Sequence, residues 1–296
     1  MTIWLSAPST RVRVVFGIFR GLSKQKGLPY RLAWHNFLQI MKVSRLLFLA
    51  LSMTVFVAQY EMSAAFGADS ALAVTGNTAM VPVPRMDKLP QWTANFEGRL
   101  YYAEKANNAS PALVIFDGDS ITDYFRDRAR EIWQSYEARY HAIDFGISGD
   151  KTENLLYRLD HGQAKGMHPR LIFLMIGHNN IMHNTSAQIF DGVSAIIKKY
   201  QEVCPDAVIV LQATFPSKEP GNKYRTSIAA LNQLLPKLAQ KGRVIYTDFG
   251  DKFLSPDGTI SKEVMPDGTH PTAQGYKIWA AAIQPILDQY FPPSTQ

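Results

Sequence analysis

The sequence predicts an α/β protein: a single-domain three-layer α/β/α sandwich built on a five-stranded parallel sheet. Three observations carry that expectation. Between residues 112 and 246, five short apolar runs rich in β-branched residues recur, and they are continuously apolar rather than alternating, as strands buried on both faces are. Longer stretches between them repeat their apolar residues at helical spacing. Strands alternating with helices form right-handed crossovers, which yield a parallel sheet with helices on both faces. The composition permits such a core, since 46% of the 296 residues are hydrophobic and 19% charged. Those values are ordinary for a folded domain and exclude disorder across the whole chain.

The chain opens on a segment of different character. Residues 1–45 hold eight of the 31 Lys and Arg residues and no acid, so the formal charge of +6 belongs to this segment and the remainder is slightly acidic. The folded domain is therefore not expected to bind nucleic acid. Residues 46–58 (LLFLALSMTVFVA) form an uncharged apolar run preceded by Lys42 and Arg45 and followed by small residues, the anatomy of a signal peptide. A spanning helix needs about 20 apolar residues, and Gln59, Tyr60 and Glu61 end this run well short of that. The reading is a basic leader and signal peptide over 1–68, with Met41 as an alternative start and cleavage after Ala65, Ala68 or Ala73. A linker or N-terminal arm follows over 69–98, and the folded domain over 99–296. The protein is expected to be exported, periplasmic or secreted, with no stable membrane insertion once the leader is gone. Cys204 is the only cysteine, which leaves no internal disulfide and no cysteine cluster for a metal.

The elements follow in order. Strands are expected at 112–116 (ALVIF), 142–145 (AIDF), 171–176 (LIFLMI), 207–211 (AVIVL) and 244–246 (VIY). Ile189, Val193, Ile196, Ile197 and Tyr200 form one helical stripe between the third and fourth. Ile228, Leu231, Leu234, Leu235 and Leu238 form a second before the fifth, and Ile278, Trp279, Ala282, Ile283 and Ile286 a third after it. Pro236 and Pro285 fall inside the last two stripes and are expected to kink or shorten those helices.

In such sheets ligands bind beyond the carboxyl ends of the strands, where loops meet helix N-termini. Four polar blocks stand there. After the first strand, DGDSIT (117–122) puts Ser120 on a strand-to-helix turn, as a nucleophile or a helix cap. Asp119 reads as support for that turn, and Asp117 as a capping or surface acid. After the second strand, GISGDKT (146–152) is a glycine turn whose amides are free to face a ligand. After the third, GHNN (177–180) carries side-chain amides that can donate hydrogen bonds. Before the last stripe, PDGTHP (266–271) sets Asp267 and His270 three apart on one turn. A carboxylate so placed fixes the imidazole tautomer and stabilises the imidazolium. Each block alone has an ordinary structural reading, as a cap, a turn or a loop histidine. Their joint position at the strand ends of one sheet carries the case for a site.

In the order FDGDSIT, FGISGDKT, IGHNN and DGTHP, over roughly 112–290, the sequence resembles the SGNH, or GDSL-like, hydrolase superfamily. Within it, the chain is similar to the acetylhydrolase subunits that cleave platelet-activating factor and to their bacterial relatives; NLLYRLDHG and HPRLIFLMIG strengthen the comparison. The resemblance implies the flavodoxin-like SGNH hydrolase fold and a serine ester hydrolase. In it Ser120 is the nucleophile, His270 its base and Asp267 the group that orients the base. The Ser120 and Gly149 amides and the Asn179 side chain are implied as the oxyanion hole. Two positions depart from the family pattern: His178 stands where Thr is usual and brings a bulky ring that can titrate, and Ser148 replaces the second glycine of a Gly-x-Gly-Gly run. No cofactor or metal is expected, since none of the seven histidines forms an H-E-x-x-H pattern.

The expected substrate is a small-molecule or carbohydrate ester, with short acyl groups removed from a saccharide or similar polar alcohol. The loops bearing the blocks are short and polar, whereas a long acyl chain would need buried apolar area. Residues 181–190, with Ile181, Met182, Ile189 and Phe190, are the one place where such a surface could hide. The alternatives are a lysophospholipase or a lipid esterase like the platelet-activating factor acetylhydrolases. Outside enzymes, the alternative is a flavodoxin-like module binding a phosphate or other ligand at the Ser120 turn, which the lack of a G-x-x-x-x-G-K-[ST] loop disfavours. Activity should rise through roughly pH 6 to 7.5 as a histidine base loses its proton, with His178 adding a second inflection.

Overall fold

The computed structural model describes residues 76–292. The leader, its apolar run and the expected cleavage points lie outside them. Five strands, β1 (Val114–Gly118), β2 (Ile143–Asp144), β3 (Leu171–Met175), β4 (Val208–Gln212) and β5 (Val244–Thr247), form one sheet in the order β2-β1-β3-β4-β5. Every neighbouring pair is parallel. Each expected run is a strand, but the first is displaced towards its C-terminal end, so that Asp117 and Gly118 lie within β1 rather than beyond it.

Sheet register explains why the runs are continuously apolar. Ile143, Ile115, Ile172, Ile209 and Val244 are partners along one rung and all enter one core. On the next rung Phe116, Phe173 and Val210 enter the other. Successive side chains of a strand point to opposite faces, so a sheet covered on both needs apolar residues at every position.

Six helices of eight or more residues are described: α1 (Leu89–Ala109), α2 (Arg130–Tyr140), α3 (Thr152–Asp160), α4 (Ser186–Val203), α5 (Lys223–Leu234) and α6 (Ala273–Tyr290). The α4 stripe, with Leu155, Leu156 and Leu159 of α3 and Leu231 of α5, fills the first core. Trp133, Tyr136 and Tyr140 of α2 and Tyr276, Trp279, Ile283 and Leu287 of α6 fill the second. There Phe116 and Phe173 stack at 4.8 Å between centroids. Helix α1 spans the boundary expected at 98/99. It starts at Leu89 with Pro90 in its first turn, where a missing N–H costs nothing, and buries Trp92 and Phe96 against Ile147.

The two prolines behave differently. Helix α5 stops at Leu234, and a 3-10 turn, Leu235–Leu238, carries Pro236. The Asn232 carbonyl, which Pro236 cannot serve, accepts instead from the Tyr246 hydroxyl at 3.2 Å. Pro285 does not shorten its helix: α6 runs through it to Tyr290. Pro285 and Ala281, whose carbonyl it leaves without an amide partner, both lie on the exposed face, where water can take that carbonyl.

Strands β2 and β3 flank β1 on opposite sides. The chain leaving β1 turns one way and the chain entering β3 the other, which opens a crevice at the carboxyl ends of β1 and β3. The DGDSIT and GHNN blocks stand on its two sides.

Candidate active site

The site starts where β1 runs out of room. At Gly118 a β-carbon would strike the Met175 carbonyl of β3, so the chain can turn there only as glycine. The next residue, Asp119, accepts a hydrogen bond from the Ile121 N–H at 3.0 Å and caps the single helical turn Ser120–Asp123. The turn support read from the sequence is this contact. Ser120 follows as the first residue of that turn, with its Oγ 2.9 Å from His270 Nε2.

His270 sits on the loop before α6, with Nδ1 2.6 Å from Asp267 Oδ2. The other carboxylate oxygen of Asp267 accepts the N–H of Thr269 at 2.9 Å and of His270 at 2.8 Å. One acid therefore shapes the turn and orients the ring. Against the cost of partial burial, these bonds hold the Asp267 carboxyl down at about 2. An ionised carboxylate can only accept, so Nδ1 carries the proton and Nε2 presents a lone pair to the Ser120 hydroxyl. The loop is pinned from the segment after β4, where the Lys218 N–H and the Ser217 hydroxyl donate to the Gly268 carbonyl at 2.8 and 2.9 Å.

Gly149 adopts φ +83°, a left-handed conformation that favours glycine. Among the described residues the N–H groups of Gly149 and Ser120 have no acceptor. The Asn179 amide nitrogen donates to the Asp150 carbonyl at 2.9 Å, and its nearest other acceptor is Asp119 Oδ2 at 3.4 Å. An –NH2 group has two donors, so one anchors Asn179 beside the Gly149 turn and the other reaches the carboxylate of Asp119, the residue before Ser120. Ser120, His270 and Asp267 are joined by hydrogen bonds; Gly149 and Asn179 make none to Ser120. The Ser148 departure ties the turn down: its N–H donates to Asp123 at 3.0 Å, and its hydroxyl meets that of Tyr124 at 3.0 Å.

Asp117 is not the surface acid the sequence suggested. It is fully buried, and so is Arg158 of α3, whose guanidinium reaches Asp117 Oδ1 at 3.1 Å and Asp150 Oδ2 at 2.8 Å. Gln163 and the Tyr200 hydroxyl donate to the other Asp117 oxygen, and Trp92 Nε1 donates to Asp150 at 2.6 Å. Buried charges persist only when paired and hydrogen-bonded, and here two carboxylates flank one cation. Burial pushes the Asp150 carboxyl up to about 6 against the pull of Arg158. Although burial works against its charge, the two acids hold Arg158 above its usual range. This network underlies Asp150, whose carbonyl receives Asn179.

His178 also differs from expectation. It is buried, and burial together with nearby His270 and Lys218 lowers its pKa to about 4, so it stays neutral where a second inflection was expected. The Tyr224 hydroxyl lies 2.7 Å from the His178 carbonyl and 3.2 Å from Nδ1. Its one proton goes to the carbonyl, so Nδ1–H donates to the phenol oxygen and Nε2 is left as an unpaired buried acceptor. Asn180, given no separate role above, is wholly buried. It accepts the Thr152 N–H at 2.9 Å at the start of α3 and donates to Glu153 at 2.9 Å. The paired asparagines of GHNN were its only sequence signal.

The sequence model of the GDSL-like Lipase/Acylhydrolase family matches residues 116–278. The chain belongs to that family. This acylhydrolase is 32% identical over 175 residues to the human platelet-activating factor acetylhydrolase IB subunit alpha1, covering 59% of this chain and 74% of that protein. It is 36% identical over 167 residues to the bovine alpha2 subunit, covering 55% and 70%. Among solved structures, a Streptococcus pneumoniae protein described as a platelet activating factor superposes with a TM-score of 0.57 at 24% identity, over 68% of this chain and 97% of that one. A Bacteroides fragilis protein described as an acylhydrolase superposes at 0.54 with 21% identity, over 64% and 96%. Those two likenesses establish the shared fold, and family membership makes the chain an ester-hydrolysing enzyme.

Proposed function

We propose that this hydrolase is a serine esterase that removes short acyl groups, acetyl above all, from a saccharide or similar polar alcohol. The observation that carries the chemistry is the unbroken chain from Ser120 Oγ through the His270 ring to Asp267, at 2.9 and 2.6 Å. A serine hydroxyl is a weak nucleophile, so His270 Nε2 takes its proton as Oγ attacks the ester carbonyl carbon. The negative charge gathering on the carbonyl oxygen is received by the Ser120 and Gly149 N–H groups and the Asn179 amide; one such donor is typically worth about 2.7–4 kcal/mol. Asp267 stabilises the imidazolium, which protonates the departing alcohol. Water then repeats the sequence on the acyl-enzyme.

The short-acyl reading rests on segment 181–190, the one stretch expected to hold an apolar surface. Of the apolar residues in 181–190, Ile189 is fully buried and Ile181 and Phe190 pack against the same core, while Met182 stands 61% exposed. Segment 181–190 therefore offers no buried apolar cleft, and each methylene of a long chain needs burial to gain its roughly 0.8 kcal/mol. A second reading, a lipid alcohol, is favoured by Met80, Val81, Val83 and Met86, which are exposed on the arm before α1, and by the names of the human and bovine relatives. The test compares kcat/KM for p-nitrophenyl acetate and octanoate, then acetate release from acetylated xylan fragments and from a platelet-activating-factor-like lipid. Acetate ahead of octanoate, and xylan ahead of lipid, is expected. Octanoate ahead of acetate overturns the short-acyl assignment, and lipid ahead of xylan overturns the saccharide.

We further propose that the enzyme acts after export, on the strength of the basic segment and short apolar run.

A further inference from the structure

The arm 76–88 is bonded to the domain along its length. Thr152 Oγ1 donates to the Ala79 carbonyl at 2.8 Å, the Val83 N–H to the Glu153 carbonyl at 3.2 Å, and Asn154 Nδ2 to the Val83 carbonyl at 3.0 Å. Two residues further on, Arg85 Nη1 donates to the Ser148 carbonyl at 2.8 Å. Its Nε and Nη2 are held by the Asp87 carboxylate at 3.1 and 3.2 Å. Arg85 lies outside the 116–278 stretch that the family model covers.

The Ser148 carbonyl and the Gly149 N–H belong to one peptide unit. That unit is planar and trans, so the two bonds point in opposite directions, and a group that fixes the carbonyl fixes the N–H as well. Without a side chain at Gly149, rotation about the flanking bonds would reverse this peptide at little cost. A β-carbon at Gly149 would run into the Arg85 guanidinium, so the glycine leaves room for the arginine as well as permitting φ +83°. The same turn is held at the Ser148 N–H by Asp123, itself paired with Arg99 of α1. That grip lies one peptide earlier, which leaves Arg85 as the contact on the peptide that carries the donor.

We propose that Arg85 is a positioning residue: by holding the Ser148 carbonyl it aims the Gly149 N–H at the oxygen of the reacting ester. The inference rests on the reading of Gly149 and Asn179 as oxyanion donors given above. An arginine that merely pairs with Asp87 at the surface would contribute little and would leave catalysis unchanged.

The test uses Arg85→Ala and Arg85→Lys in the full chain, with Asn179→Ala alongside and p-nitrophenyl acetate as substrate. A misaimed donor is expected to lower kcat by about 10- to 100-fold, with KM within about threefold of wild type. Methylguanidine in solution should restore part of the kcat of Arg85→Ala and none of that of Asn179→Ala. The Lys variant, whose point charge lacks the planar fork, should fall between Ala and wild type. Rescue is read on the variant itself, so a modest loss of thermal stability does not blur the result. Wild-type kcat in Arg85→Ala, or a loss confined to KM without rescue, while Asn179→Ala is impaired, would overturn the positioning role and leave the site reading intact. Wild-type kcat in Asn179→Ala as well would remove the oxyanion reading and the proposal with it.

Discussion

At the scale of single residues, His178 separates titration from catalysis. Its pKa of about 4 in the fold lies below the ordinary 6.5, so between those values the unfolded chain binds a proton that the folded chain refuses. Protonation then favours unfolding, and this contribution to stability is lost as pH falls from about 6.5 to 4. Replacing His178 with Thr removes the effect. Urea titrations of both proteins should show wild-type stability, relative to the variant, dropping by up to about 3 kcal/mol between pH 7 and 4. Asp119, Asp144 and Asp150, pushed up by burial to about 7, 7 and 6, give a trend of the opposite sign, but in both proteins, and it cancels in the difference. A constant difference would contradict the burial account. Since Asp267 at about 2 and His178 at about 4 both titrate below pH 5, the activity profiles of the two proteins should have the same shape from pH 5 to 8. That Ser120, Asp267 and His270 would meet was legible from the joint position of their blocks at the strand ends, although each local pattern alone had an ordinary reading. The fate of His178 was not, because burial and residues distant in the chain, His270 and Lys218, decide it.

At the scale of elements, the ends of β1 and α3 are joined by charge. Arg158 compensates two buried carboxylates at once, and removing it leaves both unpaired in the interior. Such a break typically costs about 3–5 kcal/mol, whereas an exposed pair is worth about 1 or less. Arg158→Met should therefore cost several kcal/mol in chemical denaturation. Arg139→Ala, which breaks a 3.8 Å pair with Asp288 where both side chains are more than 40% exposed, should cost under about 1. Equal costs would contradict the buried network. Sequence reading placed the five strands because continuous apolar runs record two-sided burial directly. It misread Asp117 because that acid's partners, Arg158, Gln163 and Tyr200, stand 41, 46 and 83 residues along the chain. No local pattern links them. That α6 runs through Pro285 was not legible for a related reason: whether a proline ends a helix depends in part on whether the carbonyl it orphans can reach water, and a stripe of apolar residues does not give that.

At the scale of the whole molecule, one parallel sheet converges four loops from distant parts of the chain on a single crevice, and the arm before α1 adds a fifth contact at Ser148. The order of the blocks made the convergence legible, while the arm, which has no periodicity, left open whether it is a linker or lies on the domain and gave no sign of the residues that hold it. The proposal of export belongs to this scale too. Mature protein from a periplasmic or secreted fraction should begin between residues 59 and 74 by N-terminal sequencing, and cytoplasmic protein with residues 1–45 intact would contradict it. The central claim is that His270, oriented by Asp267, activates Ser120 as the nucleophile. It is tested most directly by reacting the protein with a fluorophosphonate and locating the adduct by peptide mass spectrometry, in wild type and in His270→Ala. The account predicts one adduct, on Ser120, formed several powers of ten more slowly in the variant. An adduct on another residue, or an undiminished rate without the imidazole, would contradict it.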